Sequence, residues 1–247
     1  MNELTSLFSF DLIFAIIIGF FSTLVQSLTG FGLAIVSTPL FLMIYEPKQV
    51  VLILQLICIV INILFTFLLR KNVDLHFLKI LFIGSLIGQP LGLLIFQFAP
   101  SNSLKIFVSL IILFFLVIMQ LNHKKITETT AKTSLAGFLS GILTTATSMG
   151  GPPLILYLAS TNRDKISMRA TCIAYFAITN VSAISIFLLG NTDFSFAFSQ
   201  VIYLLPFCFV GLWIGNKLFP YLSQKMFNRL IFIMLLFSSL YTLYSAF

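Results

Sequence analysis

The chain has 247 residues, 59% of them hydrophobic and only 9% charged, with 29 Phe and a mean hydropathy of +1.09. A soluble domain holds roughly 45–50% apolar and about 25% charged residues, so a soluble globular fold is excluded. The 14 Lys and Arg outnumber the 7 Asp and Glu, but they stand singly or in pairs between apolar stretches, a pattern of membrane topology and not of nucleic-acid binding.

The N-terminus carries Glu3 and Asp11 and lacks the basic start and small-residue cleavage site of a signal peptide, so the first helix is expected to be retained. A spanning helix takes about 20 apolar residues, which leaves room for at most about ten crossings. Apolar runs bounded by charge, Pro or Gly occupy 11–28, 31–45, 50–69, 77–97 and 104–121, then 133–148, 152–160, 168–189, 196–216 and 227–246. Three runs in each half are long enough to span. The first two of each half are short and interrupted, around Gly30 and around Gly150 and Gly151, and read as re-entrant hairpins or halves of broken helices. Cys58, Cys172 and Cys208 lie inside apolar runs without metal-ligand or redox spacing and read as small core hydrophobes. The polar stretch 123–132 divides the chain into a first membrane repeat, 1–122, and a second, 133–247.

An internal repeat supports this division. At an offset of 118, Gly19-Phe20-Phe21-Ser22 lies over Gly137-Phe138-Leu139-Ser140, Thr29 over Thr147, Gly32 over Gly150 and Asn62 over Asn180; a shift to 123 sets Gly88 on Gly211 and Gly92 on Gly215. Charge placement then gives orientation. The odd connections hold Arg70, Lys71, Lys79, Lys124, Lys125, Lys132, Arg163, Lys165, Arg169, Lys217, Lys225 and Arg229, whereas the even ones hold only Lys48 and Lys105. The positive-inside rule makes the odd connections and the 123–132 linker cytoplasmic and turns both termini outward. Five segments per half is an odd number, so the halves are expected to be inverted, an arrangement in which many secondary transporters bind substrate at the midplane beside discontinuous helices.

The two broken stretches, Gln26-Ser27-Leu28-Thr29-Gly30-Phe31-Gly32 and Thr144-Thr145-Ala146-Thr147-Ser148-Met149-Gly150-Gly151-Pro152-Pro153, are rich in hydroxyls and glycine. Irregular backbone at membrane depth is tolerated only against protein or a water-filled cavity. A half-helix starting after Gly30 or near Pro152 would turn its N–H groups and positive dipole end to that cavity, which favours an anion. Close helix packing at Gly and Ser, with a proline kink, is the competing explanation. The candidate solute-binding residues are Gln26, Thr29, Gly30, Gly32, Asn62, Thr144, Thr147, Ser148, Gly150, Gly151, Pro152 and Asn180, with Gln55, Gln89 and Tyr175 as further uncharged groups on a path. Asn62 and Asn180 could equally hold helices together, worth about 1 kcal/mol each. No Asp or Glu lies deep in a span, which argues against a cation substrate. Arg169, at the mouth of an inner span, reads as an orientation anchor with anion attraction as the alternative, and Lys79 and Lys217 as snorkelling residues. His76 and His123 fall in connections away from any buried nucleophile, and no HExxH, nucleotide loop or paired carboxylates occur, so an intramembrane enzyme is not expected.

The stretches Gly19 to Pro39 and Gly137 to Pro153, with Ser148-Met149-Gly150-Gly151-Pro152-Pro153 the more specific, resemble the paired signatures of the TauE/SafE, or sulfite exporter, family of membrane permeases. The resemblance runs through Gly84-Ser85-Leu86-Ile87-Gly88 and its later partner, Pro206 to Gly215, and so covers essentially the whole chain. It implies a bacterial-type inner-membrane protein that moves small anions, often sulfur-containing ones such as sulfite or sulfonates. Leu33 stands where the second signature has Gly151, so the halves differ at the motif. The sequence thus leads to an all-α, multi-pass bundle of about 8 to 10 hydrophobic segments in two inverted repeats, acting as an anion permease by alternating access. A non-transporting accessory subunit is the alternative. The expected partners are a small anionic solute, the lipid bilayer and a second copy of the chain, without nucleic acid, metal or cofactor.

Overall fold

The structure, a computed structural model, describes residues 10–100, 127–159, 161 and 163–221, with isolated positions within 102–117 and 223–244. Among these residues it is all helical. The elements are α1 (Phe10–Thr29), α2 (Gly32–Phe41), α3 (Pro47–Leu69), a 3-10 turn (Arg70–Asn72), α4 (Leu75–Phe98), α5 (Thr130–Thr147), α6 (Gly151–Ala159), α7 (Lys165–Leu189), α8 (Ser195–Leu218) and a 3-10 turn (Phe219–Tyr221). The expected segments 104–121 and 227–246 lie largely outside the described residues.

Among the described residues, five stretches are long and apolar enough to cross a membrane: Phe10–Thr29, Pro47–Asn72, Leu75–Phe98, Ile166–Leu189 and Ser195–Tyr221. α5 has 18 residues, but its run of Thr and Ser keeps its hydropathy lower. α2 and α6, with 10 and 9 residues, reach about 15 Å at 1.5 Å per residue, half the hydrocarbon thickness.

Several helices start two or three residues before the apolar runs do. The cause is capping, because a cap residue opens a polar first turn that an apolar-run boundary leaves out. Glu46 and Gln49 form a capping box ahead of Pro47 at the first turn of α3, Asp74 accepts from Phe77 N–H, Thr129 from Lys132 N–H, and Asp164 from Ile166 and Ser167 N–H. Thr130, Ala131 and Lys132 consequently belong to α5, and the polar linker ends at Thr129.

Glycine decides which helices pair. A Cβ at Gly84, Gly88 or Gly92 of α4 would strike the carbonyls of Ser134, Phe138 and Ile142 in α5, while Gly137 and Gly141 of α5 face the carbonyls of Leu81 and Ser85. On the other side of the molecule, Gly211 and Gly215 of α8 press on the carbonyls of Phe20 and Leu24 in α1. Residue numbers climb together on both partners, so α4 runs parallel to α5 and α8 parallel to α1. This is small-residue packing, which lets backbones meet where lipid offers no hydrophobic drive for association. α7 runs beside α4, with Gln89 Nε2 donating to the Thr179 carbonyl at 2.8 Å and Asp74 N–H to Thr171 Oγ1 at 3.0 Å. α3 is antiparallel to both, its Phe65 lying by Arg169 near the start of α7.

One end of the bundle is tied by ions. Arg163 donates Nε and Nη2 to Glu128 at 2.8 and 2.6 Å and Nη1 to Asp74 at 2.7 Å, with its guanidinium 3.8 Å from the Phe77 ring. The α3–α4 connection, the residues before α5 and the α6–α7 connection therefore share one face. Hydrogen bonding from Phe77 N–H and from Arg163 holds the Asp74 carboxyl below its ordinary value of 3.8. Its stabilising contribution is present above that value and is lost as the pH falls through the lower folded value. Melting of the purified protein against pH is expected to show an acid-dependent drop below 3.8 that is smaller in Asp74→Asn.

Candidate functional site

Each half-length helix follows a break of the same build. Gly30 N–H donates to the Gln26 carbonyl at 2.7 Å and Ser148 N–H to the Thr144 carbonyl at 3.0 Å, closing α1 and α5. One residue on, Phe31 N–H donates to Thr29 Oγ1 at 3.2 Å and Met149 N–H to Thr147 Oγ1 at 3.3 Å. Between these bonds the chain turns left-handed, with φ +90° at Gly30 and 59° at Ser148. Glycine carries this freely; serine meets a cost of about 1 kcal/mol, and its hydroxyl anchors the turn by donating to the Val51 carbonyl at 2.8 Å. Gly30 in turn presses on the Arg169 backbone, where a Cβ would lie 3.0 Å from the carbonyl oxygen. Gly30 and Ser148, like Val51 and Arg169, stand 118 residues apart.

From the first break a chain of amides leads inward. Leu33 N–H, which can only donate, gives its hydrogen to Gln26 Oε1 at 2.9 Å. That orients Gln26 so that Nε2 faces Asn62 Oδ1 at 2.7 Å and the Gly30 carbonyl at 3.3 Å. Asn62 Oδ1 is thereby occupied as an acceptor, and among the described residues no acceptor takes up its Nδ2 hydrogens. Asn180 is 4% exposed, and among the described residues its amide has no hydrogen-bond partner.

These groups meet in a cavity at the middle depth of α3 and α7, lined by Gln26, Phe31, Ala34, Ile35, Cys58, Asn62, Ser148, Gly151, Phe176 and Asn180. About 20 Å³ of it is open to the centre of a water, enough for one water molecule and too little for a polyatomic anion. No carboxylate lines it.

Five of the twelve sequence candidates, Gln26, Asn62, Ser148, Gly151 and Asn180, line this cavity, and the other seven do not. Thr29 and Thr147 cap the breaks, and Gly30 makes the first turn. Gly32 packs on Val25, and the Gly150 carbonyl accepts from Ser140 Oγ at 2.6 Å. Thr144 donates to the Ser140 carbonyl, and its own carbonyl accepts from Gln55 Nε2 at 2.6 Å. Pro152 has no N–H and Pro153 none either, so α6 presents fewer backbone donors than a half-helix start would suggest. The Leu33 N–H of α2 is spent on Gln26. Side-chain amides are the donors left facing the cavity.

Gln55, Gln89 and Tyr175 join helices, bonding the carbonyls of Thr144, Thr179 and Gly137, and do not line the cavity. Lys217 lies 3.7 Å over the ring of Trp213, on the outer face of α8. Arg169 is 6% exposed and turned into the protein, so it is no headgroup anchor. Sequence reasoning missed Phe31, Ala34, Ile35, Cys58 and Phe176 as lining. A signal existed for two of them: Cys58 and Phe176 lie four residues before Asn62 and Asn180, one turn away on the same helix face. Cys58, read as core, is buried and also forms part of the cavity wall.

No curated protein and no solved structure matches the chain. The family model described as sulfite exporter TauE/SafE matches residues 15–242, which includes both breaks, both Asn and the packing glycines of all four paired helices. A multi-pass bundle of apolar helices covered almost end to end by that model belongs to the sulfite exporter TauE/SafE family, a family of membrane transporters.

Proposed function

We propose that this transporter is a permease for small anions, sulfur oxyanions and sulfonates foremost, and that it works by alternating access around the cavity between α3 and α7. The observation that carries the reading is the convergence of Asn62 and Asn180, 118 residues apart in sequence, on one cavity whose unclaimed polar groups include the Nδ2 donors of both amides and whose lining lacks carboxylates. Amide N–H groups suit oxygen-rich anions.

The two membrane repeats, 1–122 and 133–247, are read as inverted copies. Their support is the exchange of equivalent contacts: Gly88 on Phe138 and Gly92 on Ile142 in one pair, Gly211 on Phe20 and Gly215 on Leu24 in the other. α4 and α8, at equivalent places in the two halves, run antiparallel through the chain of pairings with α7 and α3. With the cation-rich connections inside, the Arg163–Glu128–Asp74 face is cytoplasmic, the termini are outward, and the setting is a bacterial inner membrane. In this reading the cavity, which has room for about one water, widens to admit solute.

The test is a thermal-shift screen of the purified protein against sulfite, sulfate, thiosulfate, taurine, sulfoacetate and matched carboxylates, followed by flux into proteoliposomes. A ligand that binds only the folded state raises its apparent stability, by about 2.7 kcal/mol at a hundred times Kd. Shifts with carboxylates alone would remove sulfur from the reading. Silence throughout, with no flux, would replace the permease by an accessory subunit.

A further inference from the structure

Arg169 is a buried cation that pairs with no carboxylate among the described residues. It sits one turn into α7, is 6% exposed, and forms an ion pair with none of the six carboxylates among the described residues, Asp11, Glu46, Asp74, Glu128, Asp164 and Asp193. Its Nη2 donates to Asn216 Oδ1 at 3.0 Å, but Nε is buried with no hydrogen-bond partner. Two aromatic faces flank the guanidinium, Phe65 at 4.9 Å and Phe219 at 3.9 Å. Rings and a neutral amide offset part of the cost of burying a charge, and they leave its field uncancelled.

The position matters as much as the charge. The Arg169 backbone and Cγ lie against Gly30, the turn that ends in the Gln26–Asn62 amide chain of the cavity. Along α7, Asn180 is about 16 Å further, at 1.5 Å per residue. The equivalent place in the other half holds Val51, whose carbonyl is taken by Ser148. A cation thus stands at one of these two equivalent places and an aliphatic side chain at the other.

We infer that Arg169, with its unpartnered Nε and the Asn216 amide beside it, is an anion-binding site at the cytoplasmic mouth, taking a small oxyanion that passes between it and the central cavity. A guanidinium presents a planar fork that matches two oxygens of such an anion, which a lysine does not. The inference rests on the permease reading for its place on a path, but binding itself does not require flux.

The experiment measures binding of sodium sulfite, sulfate and thiosulfate to the purified chain by thermal shift and calorimetry, in wild type, Arg169→Gln, Arg169→Lys and Asn180→Ala. At least one of the three anions is expected to bind wild type, at least tenfold more weakly to Arg169→Gln, and severalfold more weakly to Arg169→Lys at an unchanged unliganded melting temperature. If Arg169→Gln does not fold, Arg169→Lys carries the test. Wild-type affinity in either Arg169 variant overturns the site, and so does a wild type that binds none of the three. Binding lost only in Asn180→Ala leaves the central cavity standing and removes Arg169. Binding that depends on Arg169 without flux of that anion keeps this site and sinks the permease.

Discussion

Replacing Asn180 by Ala is expected to lower anion flux about tenfold to a hundredfold while leaving the melting temperature of the purified protein within about a degree. A hydrogen bond to a charged group contributes roughly 1.5–3 kcal/mol, which sets the size of the loss. The fold is spared because among the described residues the Asn180 amide bonds to no other group, so its removal orphans nothing. Gln26→Ala should behave differently. Gln26 holds the start of α2 through Leu33 N–H and orients Asn62, so its loss leaves a buried N–H and a buried amide oxygen unpaired and should reduce stability and flux together. A flux assay with parallel melting curves separates the two. Asn180→Ala transporting at the wild-type rate would exclude the central cavity as the solute site.

The second large effect is expected at Gly88→Val. Its Cβ would meet the Phe138 carbonyl of α5, and neither backbone can yield without parting the α4–α5 pair. Overpacking ordinarily costs about 1–3 kcal/mol, and a clash with main chain in a pair already held in close approach at Gly84 and Gly92 should reach the upper end or exceed it. The variant should yield little folded protein, measured as the monodisperse fraction after detergent extraction. Gly211→Val, which meets the Phe20 carbonyl, should fail in the same way. A Gly19→Ala substitution is milder, because a Cβ there meets only the Cys208 sulfur at 3.1 Å, and it should be tolerated. Equal melting temperatures for wild type and Gly88→Val would refute backbone-limited packing of the pair.

These pairs also bear on motion. α4 and α5 come from different sequence halves, as do α8 and α1, yet each pair is interlocked through glycine. Helices held backbone to backbone move together, so any rocking motion should take α4 with α5 and α1 with α8 as its rigid units. The proposed alternating access then cuts across the sequence halves. A disulfide across α4 and α5 should leave flux intact, and one between Ile35 and Gly151, which touch where α2 meets α6, should stop it; flux under oxidising conditions reads both.

Composition alone determined that the chain is a membrane bundle, because 59% apolar and 9% charged residues leave no polar exterior for water. Among the described residues, hydrophobic runs located the helices to within a few residues, and the breaks at Thr29–Gly30 and Thr147–Ser148 were legible because glycine and hydroxyls cluster there in otherwise apolar runs. The matches at an offset of 118 set Asn62 over Asn180, and both side chains line the one cavity. What only tertiary structure decided was direction and partnership. Pro152 and Pro153 look like a half-helix start offering backbone donors, but their missing N–H groups and the claim of Gln26 on Leu33 hand that role to amide side chains. Thr144, Gln55 and Tyr175 are polar and buried like Asn180, yet they bond helix carbonyls, and no one-dimensional pattern distinguishes a polar group facing a neighbour helix from one facing a cavity. Arg169 belongs to the same class. A cation near a helix end reads as an anchor in sequence, and only the packing of Phe65, Phe219 and Gly30 around it shows it turned inward, where no carboxylate among the described residues pairs with it.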